Sequence, residues 1–477
     1  MPPTKRIVIL GGGFAALGAA RHLEAALPAD GSVEVSLISR DNYLLFTPLL
    51  AEAATGQLPP AHVVAPLRAF LRRVQVWQGE VAAVDLAQRR VTVVQPVSGE
   101  AVTTTFDQLV LALGAVTSYH GVPGAQEHTI GFKTLADAAR ARAHVVSCFE
   151  QAALEGDAAK RRALLTFVVA GGGYSGVELT AALADFLRAL RRYYPSLAGE
   201  PLRLVLAHHG QRLLEELTDS AAAYTLALLR RQGIAVRLGT GVAAVAADSV
   251  ELAPGGTLPT RTVFWTAGVA PDPLLAQLGV PCDRHGAVIV DQQLAVQGHF
   301  GVWALGDCAS VPNPRGGTYG PTAQNAEREA PVVAHNVLAS LQGNSLRRFD
   351  YQPVGMLASL GRRSAVGEVY GHQFSGFGAW LLWRTVYLAK LPGWDRRARV
   401  GLDWALDFVF PPNIVSSAGA LPAPARAVAT RGASVPSVPP AGAAAPAAAA
   451  RADTAPGTAA SGSATAPATP DRPQAAD

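Results

Sequence analysis

The pattern that most restricts this chain is an apolar strand, a glycine turn and a helix that together occur twice. Ile7 to Leu10 reads as a short buried strand, Gly11 to Gly13 as a tight turn, Leu17 to Leu27 as an alanine-rich helix and Val33 to Ile38 as a second strand. The order returns at Thr166 to Val169, Gly171 to Gly173, Val177 to Leu190 and Leu202 to Leu206. A pyrophosphate needs a turn without Cβ atoms, so that backbone N–H groups reach its oxygens, and a helix N-terminus facing the negative charge. Gly11, Gly13 and Ala16 supply that spacing in the first copy, and Gly171, Gly173 and Gly176 in the second. Ala16 is tolerated because the third position governs only how closely helix and strand pack. One such turn is weak evidence, but two correctly flanked copies predict an α/β chain with two Rossmann-like dinucleotide-binding domains. The N-terminal copy is expected to hold FAD and the second NAD(P)H.

Between the copies, Leu109 to Ala112 followed by Gly114 reads as a strand and Lys133 to Glu150 as a helical connector. Val302 to Leu305 is a late strand that runs into Gly306 and Asp307, and Gln324 to Leu341 has helical periodicity. The expected organisation is a split FAD domain (1–120 and 287–345), an NAD(P)H domain (160–275) and a C-terminal module (346–416). From Ser417 onward the chain has no Ile, Phe, Tyr, Trp or Met, and residues 417–477 read as a disordered tail.

Composition narrows the class further. With 40 basic and 36 acidic side chains the net charge is only +4, evenly spread, which does not point to nucleic acid. Cys148, Cys282 and Cys308 are far apart, so a disulfide framework or zinc site is not expected and a reducing, cytoplasmic setting is. The first strand begins too early for a signal peptide, and no stretch supplies the roughly 20 apolar residues of a spanning helix.

Each dinucleotide unit normally carries an acid at the end of its next strand, bonding ribose hydroxyls and repelling a 2′-phosphate. Neither unit has one there. Ser39 takes the place in the first, with Arg40 and Asp41 following, and His208 takes it in the second. Two readings stand: other groups hold the ribose, or the missing repulsion, with Arg212 and His209 nearby, lets NADPH compete with NADH.

Gly11 to Phe14, Phe46 to Leu50, Phe132 to Leu135 with Asp137, Gly171 to Gly173 and Gly176 to Glu178 together form a recognisable set. Trp265 to Val269, Ala304 to Asp307, and Ala323 with Gln324 complete it. From about Lys5 to Val415 the chain resembles the type II NADH dehydrogenases, single-subunit NADH:quinone oxidoreductases. The resemblance implies that Phe14, Ala16, Lys133, Gly268, Gly306 and Ala323 serve the cofactor sites and that Asp307 bonds the flavin's ribityl chain. It places Glu178 beside the nicotinamide and flavin rings; electrostatics at a helix start is the plainer account of an acid there. The family's second glutamine on the quinone helix is Arg328 here, four residues after Gln324 on the same helix face. Arg328 could bond a quinone oxygen, stabilise reduced flavin, or pair with a nearby acid. The implied reaction passes hydride from NADH to FAD and then two electrons to a membrane quinone, without proton pumping.

Trp380 to Leu391 is apolar around most of its girth yet too short to span, and Pro392 with Gly393 stops it. A second helix is expected from Arg396, and Trp394, Arg396, Arg397 and Arg399 read as surface anchors. Peripheral attachment to the cytoplasmic face of the inner membrane is one reading; a hairpin packed on its own domain, or on a homodimer partner, is the other. Disulfide reductases and sulfide:quinone oxidoreductases need paired redox cysteines that are missing here. A ferredoxin-type reductase and a redox-sensing or partner-binding flavoprotein remain as alternatives.

Overall fold

The computed structural model describes residues 4–410 and 413–415, so the reading of 417–477 as a tail lies outside the described residues. Strand β1 (Lys5–Leu10) enters helix α1 (Phe14–Ala26) through the first glycine turn and returns as β2 (Val33–Ser39). Helix α1 begins at Phe14, earlier than its apolar spacing predicts, because Gly13 serves as its N-cap. A short buried helix, α2 (Leu50–Ala54), and strand β3 (Gln75–Gln78) follow. After an antiparallel flap made from Glu80–Asp85, Arg90–Val94 and Ala101–Thr105 comes β4 (Gln108–Leu111).

The second unit opens with β5 (Ile130–Gly131) and α3 (Leu135–Leu154). A reciprocal capping box between Thr134 and Asp137 fixes where α3 starts. Then come β6 (Thr166–Ala170), α4 (Tyr174–Arg191), β7 (Arg203–Ala207), β8 (Ala235–Arg237) and β9 (Thr262–Trp265). The chain finally returns to the first sheet with β10 (Val302–Ala304) and α5 (Ala323–Gln342), whose N-cap is Thr322.

The two sheets have matching plans. One runs β10-β4-β1-β2-β3, the other β5-β9-β6-β7-β8, and every pairing within them is parallel. Parallel sheets are covered on both faces, and accordingly β4, β6 and β9 are buried along their whole length. Strand β10 therefore completes the N-terminal sheet from far down the chain and delivers residues 305–307 to its edge.

The C-terminal part is a meander of β11 (Gly355–Ser359), β12 (Ala365–Val369) and β13 (His372–Ser375), followed by α6 (Gly376–Lys390) and α7 (Trp394–Leu406). Helix α7 starts at Trp394 rather than Arg396, because Gly393, at φ +87°, makes the turn that only glycine adopts easily. Trp380, Trp383 and Trp404 are buried against Phe46, Leu49, Leu58 and Val63, so one side of the hairpin packs on its own body. No described helix is long and apolar enough to cross a membrane.

Candidate functional site

A cleft of about 340 Å³ opens at the C-terminal edge of the first sheet, lined by Gly11, Gly13, Phe14, Ser39, Arg40, Lys133, Asp307 and Ala323 among others. Gly11 sits at φ +121°, and a Cβ there would lie 2.1 Å from the Ala112 carbonyl oxygen, so only glycine allows this approach. A Cβ on Gly13 would meet nothing within 4 Å, and no side chain caps the first turn of α1. The free N–H groups of α1 thus face open space, as a pyrophosphate requires. Ala16 is fully buried in the helix packing. Lys133 Nζ lies 3.3 Å from Asp307 Oδ2, which fixes the carboxylate at the cleft wall. Gly306, just before it, donates its N–H to Glu329 Oε2 at 2.6 Å, and burial pushes the Glu329 carboxyl up to about 7. Ser39 is buried, while Arg40 is exposed with Asp41 3.6 Å away. These residues fit a dinucleotide such as FAD.

A second cleft of about 320 Å³ is lined by Gly171, Ala207, His209, Thr240, Trp265 and Ala267 among others. Gly173 again leaves open space at an uncapped helix start, and Gly176 is pressed against the Gly171 carbonyl. Gly268 lies behind His120, whose Nε2 is 3.2 Å from the Ala267 oxygen, rather than on the cleft wall. His208 also departs from the sequence reading. Its ring is buried, with Nδ1 accepting the Gly172 N–H at 3.1 Å and Nε2 3.3 Å from Glu215 Oε1. Burial, aided by His209, lowers its pKa. Arg212 is held by Asp219 and by the Glu215 carbonyl.

Glu178 is the fifth residue of α4, beyond the first turn, so the helix-start account of this acid does not hold. It is partly buried, its Oε1 accepts the Ser359 N–H at 2.9 Å, and desolvation of the carboxyl pushes its pKa up to about 8 despite that bond; nearby Glu52 raises it further. Gln324 and Arg328 do meet, through Tyr351: Gln324 Nε2 donates to Tyr351 Oη at 2.8 Å and the Arg328 guanidinium lies 5.4 Å from that ring's centre. Sequence reasoning missed Tyr351, Glu52 and Glu215. Glu52 carried one signal, being a lone acid within the apolar run Leu49 to Ala54; nothing local marked the others.

The family model described as pyridine nucleotide-disulphide oxidoreductase matches residues 5–330, and the NDH2 C-terminal domain model matches 354–411. The type II NADH:quinone oxidoreductase Ndh of Mycobacterium tuberculosis is 33% identical over 424 residues, covering 86% of this chain and 89% of that protein. The chain belongs to the type II NADH:quinone oxidoreductase family. The demethylphylloquinone reductase NdbB of Synechocystis is 34% identical over 406 residues, covering 84% of this chain and 95% of that protein. The fold of this family member matches NDH2 of Plasmodium falciparum, solved in complex with NADH, with a TM-score of 0.78 at 20% identity; 86% of this chain and 100% of the other are covered.

Proposed function

We propose that this member of the family is an FAD-dependent NADH:quinone oxidoreductase working at a membrane surface. The observation that carries the reading is the pair of glycine cradles, with the Glu178 carboxyl set beside Trp383 and Arg384 of the hairpin that follows them in the chain. Bound FAD supplies the two-electron chemistry linking nicotinamide oxidation to quinone reduction. Residues 1–120 with 287–345 form the FAD domain in this reading, 160–275 the NADH domain, and 346–416 the membrane module.

Gly11, Gly13, Gly171 and Gly173 would hold the two pyrophosphates through backbone N–H groups, and Asp307, held by Lys133, would accept from the ribityl hydroxyls. Glu178 holds a proton at neutral pH because its buried carboxyl resists ionisation. Gln324 and Arg328, steadied by Tyr351, present an amide and a guanidinium to the quinone's oxygens. For the nucleotide, Glu215 takes over the repulsion that His208 cannot supply. With Arg212 already paired, a 2′-phosphate finds a carboxylate and no free guanidinium there, so NADH is preferred over NADPH.

Phe377 and Leu381 on α6, and Trp394, Leu402 and Leu406 on α7, are exposed apolar groups, with Arg397 and Arg399 exposed beside them. That set suits an anionic leaflet and supports peripheral attachment at the cytoplasmic face of the inner membrane. NADH consumption by the purified protein should depend on an added ubiquinone analogue; quinone-independent or absent oxidation would refute the reading.

A further inference from the structure

Two buried donors beside Glu178 lack acceptors. The Trp383 indole N–H and the Arg384 Nε–H have no hydrogen-bond partner among the described residues. Trp383 stands close enough to favour the ionised form of Glu178, yet no atom accepts its proton in bonding geometry. Both side chains line a cavity of about 10 Å³ shared with Glu52, Glu178, Ser359 and Arg362. A buried donor left unmatched is unfavourable, and a polar space of this size holds one water molecule.

Each carboxyl also has an oxygen to spare. Glu178 Oε1 takes the Ser359 N–H and Glu52 Oε2 takes the Trp404 Nε1–H at 2.7 Å, while the second oxygen of each makes no hydrogen bond among the described residues. We propose that one water in this cavity joins Glu52 to Glu178, and that Glu52 replaces the proton Glu178 gives up during quinone reduction. The inference rests on the quinone-reductase reading above.

The balance requires such a source. NADH, one proton and quinone give NAD⁺ and quinol; hydride carries two electrons and one proton, so the second proton comes from solvent, which reprotonates Glu52 once in each turnover. In the relay an O–H bond of Glu52 breaks, the water takes that proton and passes one of its own to the Glu178 carboxylate, where a new O–H bond forms. No electron moves. The Glu52 carboxylate left behind faces Arg384 and the Trp404 N–H, which favour its charge, while Asp407 opposes it. Arg384 is itself held between the Trp380 and Trp404 rings, 4.0 and 4.7 Å from their centres. Tyr174 and Tyr387 face Glu178 as further titratable groups, both kept protonated by burial. Burial also pushes Glu52 up to about 7, below Glu178 at about 8, so protons pass readily in that direction.

Glu52→Gln tests the relay, because its amide oxygen still accepts from Trp404 and the fold is kept. With NADH and a ubiquinone analogue, quinone turnover should fall by about tenfold or more. The alkaline limb of its pH profile should move to lower pH, since removing a neighbouring negative charge lets Glu178 ionise earlier. Glu52→Asp should recover part of the turnover. Wild-type turnover and an unchanged profile in Glu52→Gln would overturn the relay while leaving the quinone-reductase reading intact; a wild-type protein that reduces no quinone would instead remove that reading. A crystal structure should show a water within hydrogen-bonding distance of Trp383 Nε1, and a dry cavity would equally overturn the proposal.

Discussion

Trp404 in the last described helix donates its indole N–H to Glu52 Oε2 at 2.7 Å, a bond between residues 352 positions apart. Both side chains are buried, so the bond ties the C-terminal hairpin to the short helix α2 near the start of the chain. Trp404→Phe keeps the ring packing and leaves Glu52 without its donor. Denaturant unfolding should show a loss of about 1–3 kcal/mol; an unchanged midpoint would mean the bond contributes nothing.

Glu52 also makes stability depend on pH in a definite direction. Its carboxyl has a folded value of about 7 against 4.5 in the unfolded chain. A raised folded value means the native state keeps a proton the unfolded state has lost, so this contribution is complete below pH 4.5 and falls as pH rises toward 7. Glu52→Gln removes that slope. Its melting temperature relative to wild type should climb through the window, by an amount equivalent to on the order of 3 kcal/mol at most. Parallel pH curves for the two proteins would contradict the assignment.

In the proposed nucleotide site the charge beside His208 is that of Glu215, 3.3 Å from its ring. Glu215→Gln should tighten NADP⁺ binding relative to NAD⁺ by about tenfold, roughly 1.4 kcal/mol, as read by calorimetry. The side chain is half exposed, so folding is not at stake. If the ratio of the two affinities does not change, the charge beside His208 has no part in selectivity.

At the proposed quinone site, Arg328→Ala removes the guanidinium stacked on Tyr351. Quinone reduction should drop more than flavin reduction by NADH, by about tenfold in the ratio. Equal effects on both half-reactions would place Arg328 outside the acceptor site.

Membrane attachment is read through the exposed arginines of α7. Arg397→Gln with Arg399→Gln should weaken co-sedimentation with anionic phosphatidylglycerol vesicles by about tenfold or more, given ~1 kcal/mol per basic group. High salt should have the same effect on the wild-type protein. Binding that is indifferent to both would leave the hairpin as a packing element only.

The two sheets were legible because parallel strands bury both faces and so read as continuous apolar runs, as in Ile7 to Leu10 and Thr166 to Val169. The glycine turns were legible because a close backbone approach excludes every side chain at Gly11. Helix starts were misplaced where a cap decides them, at Phe14 after Gly13 and at Trp394 after Gly393. Glu178 was singled out from its motif, but its surroundings depend on Ser359 and the hairpin, which arrive from far along the chain. Glu52 and Tyr351 gain their meaning only through partners such as Trp404 and Gln324, and no local spacing reports such pairs. His208 was read from the sequence as standing where an acid is expected; its inward turn follows from Gly172 and could not be read from position alone.

The account depends above all on a flavin held between the two cradles, with nicotinamide oxidation and quinone reduction as separable steps. Anaerobic stopped-flow mixing tests this directly, by following the flavin's visible absorbance after NADH and then after a ubiquinone analogue. The account predicts that NADH bleaches the band and that quinone restores it within the turnover time. A colourless protein, or a bleached one that quinone fails to reoxidise, would contradict it.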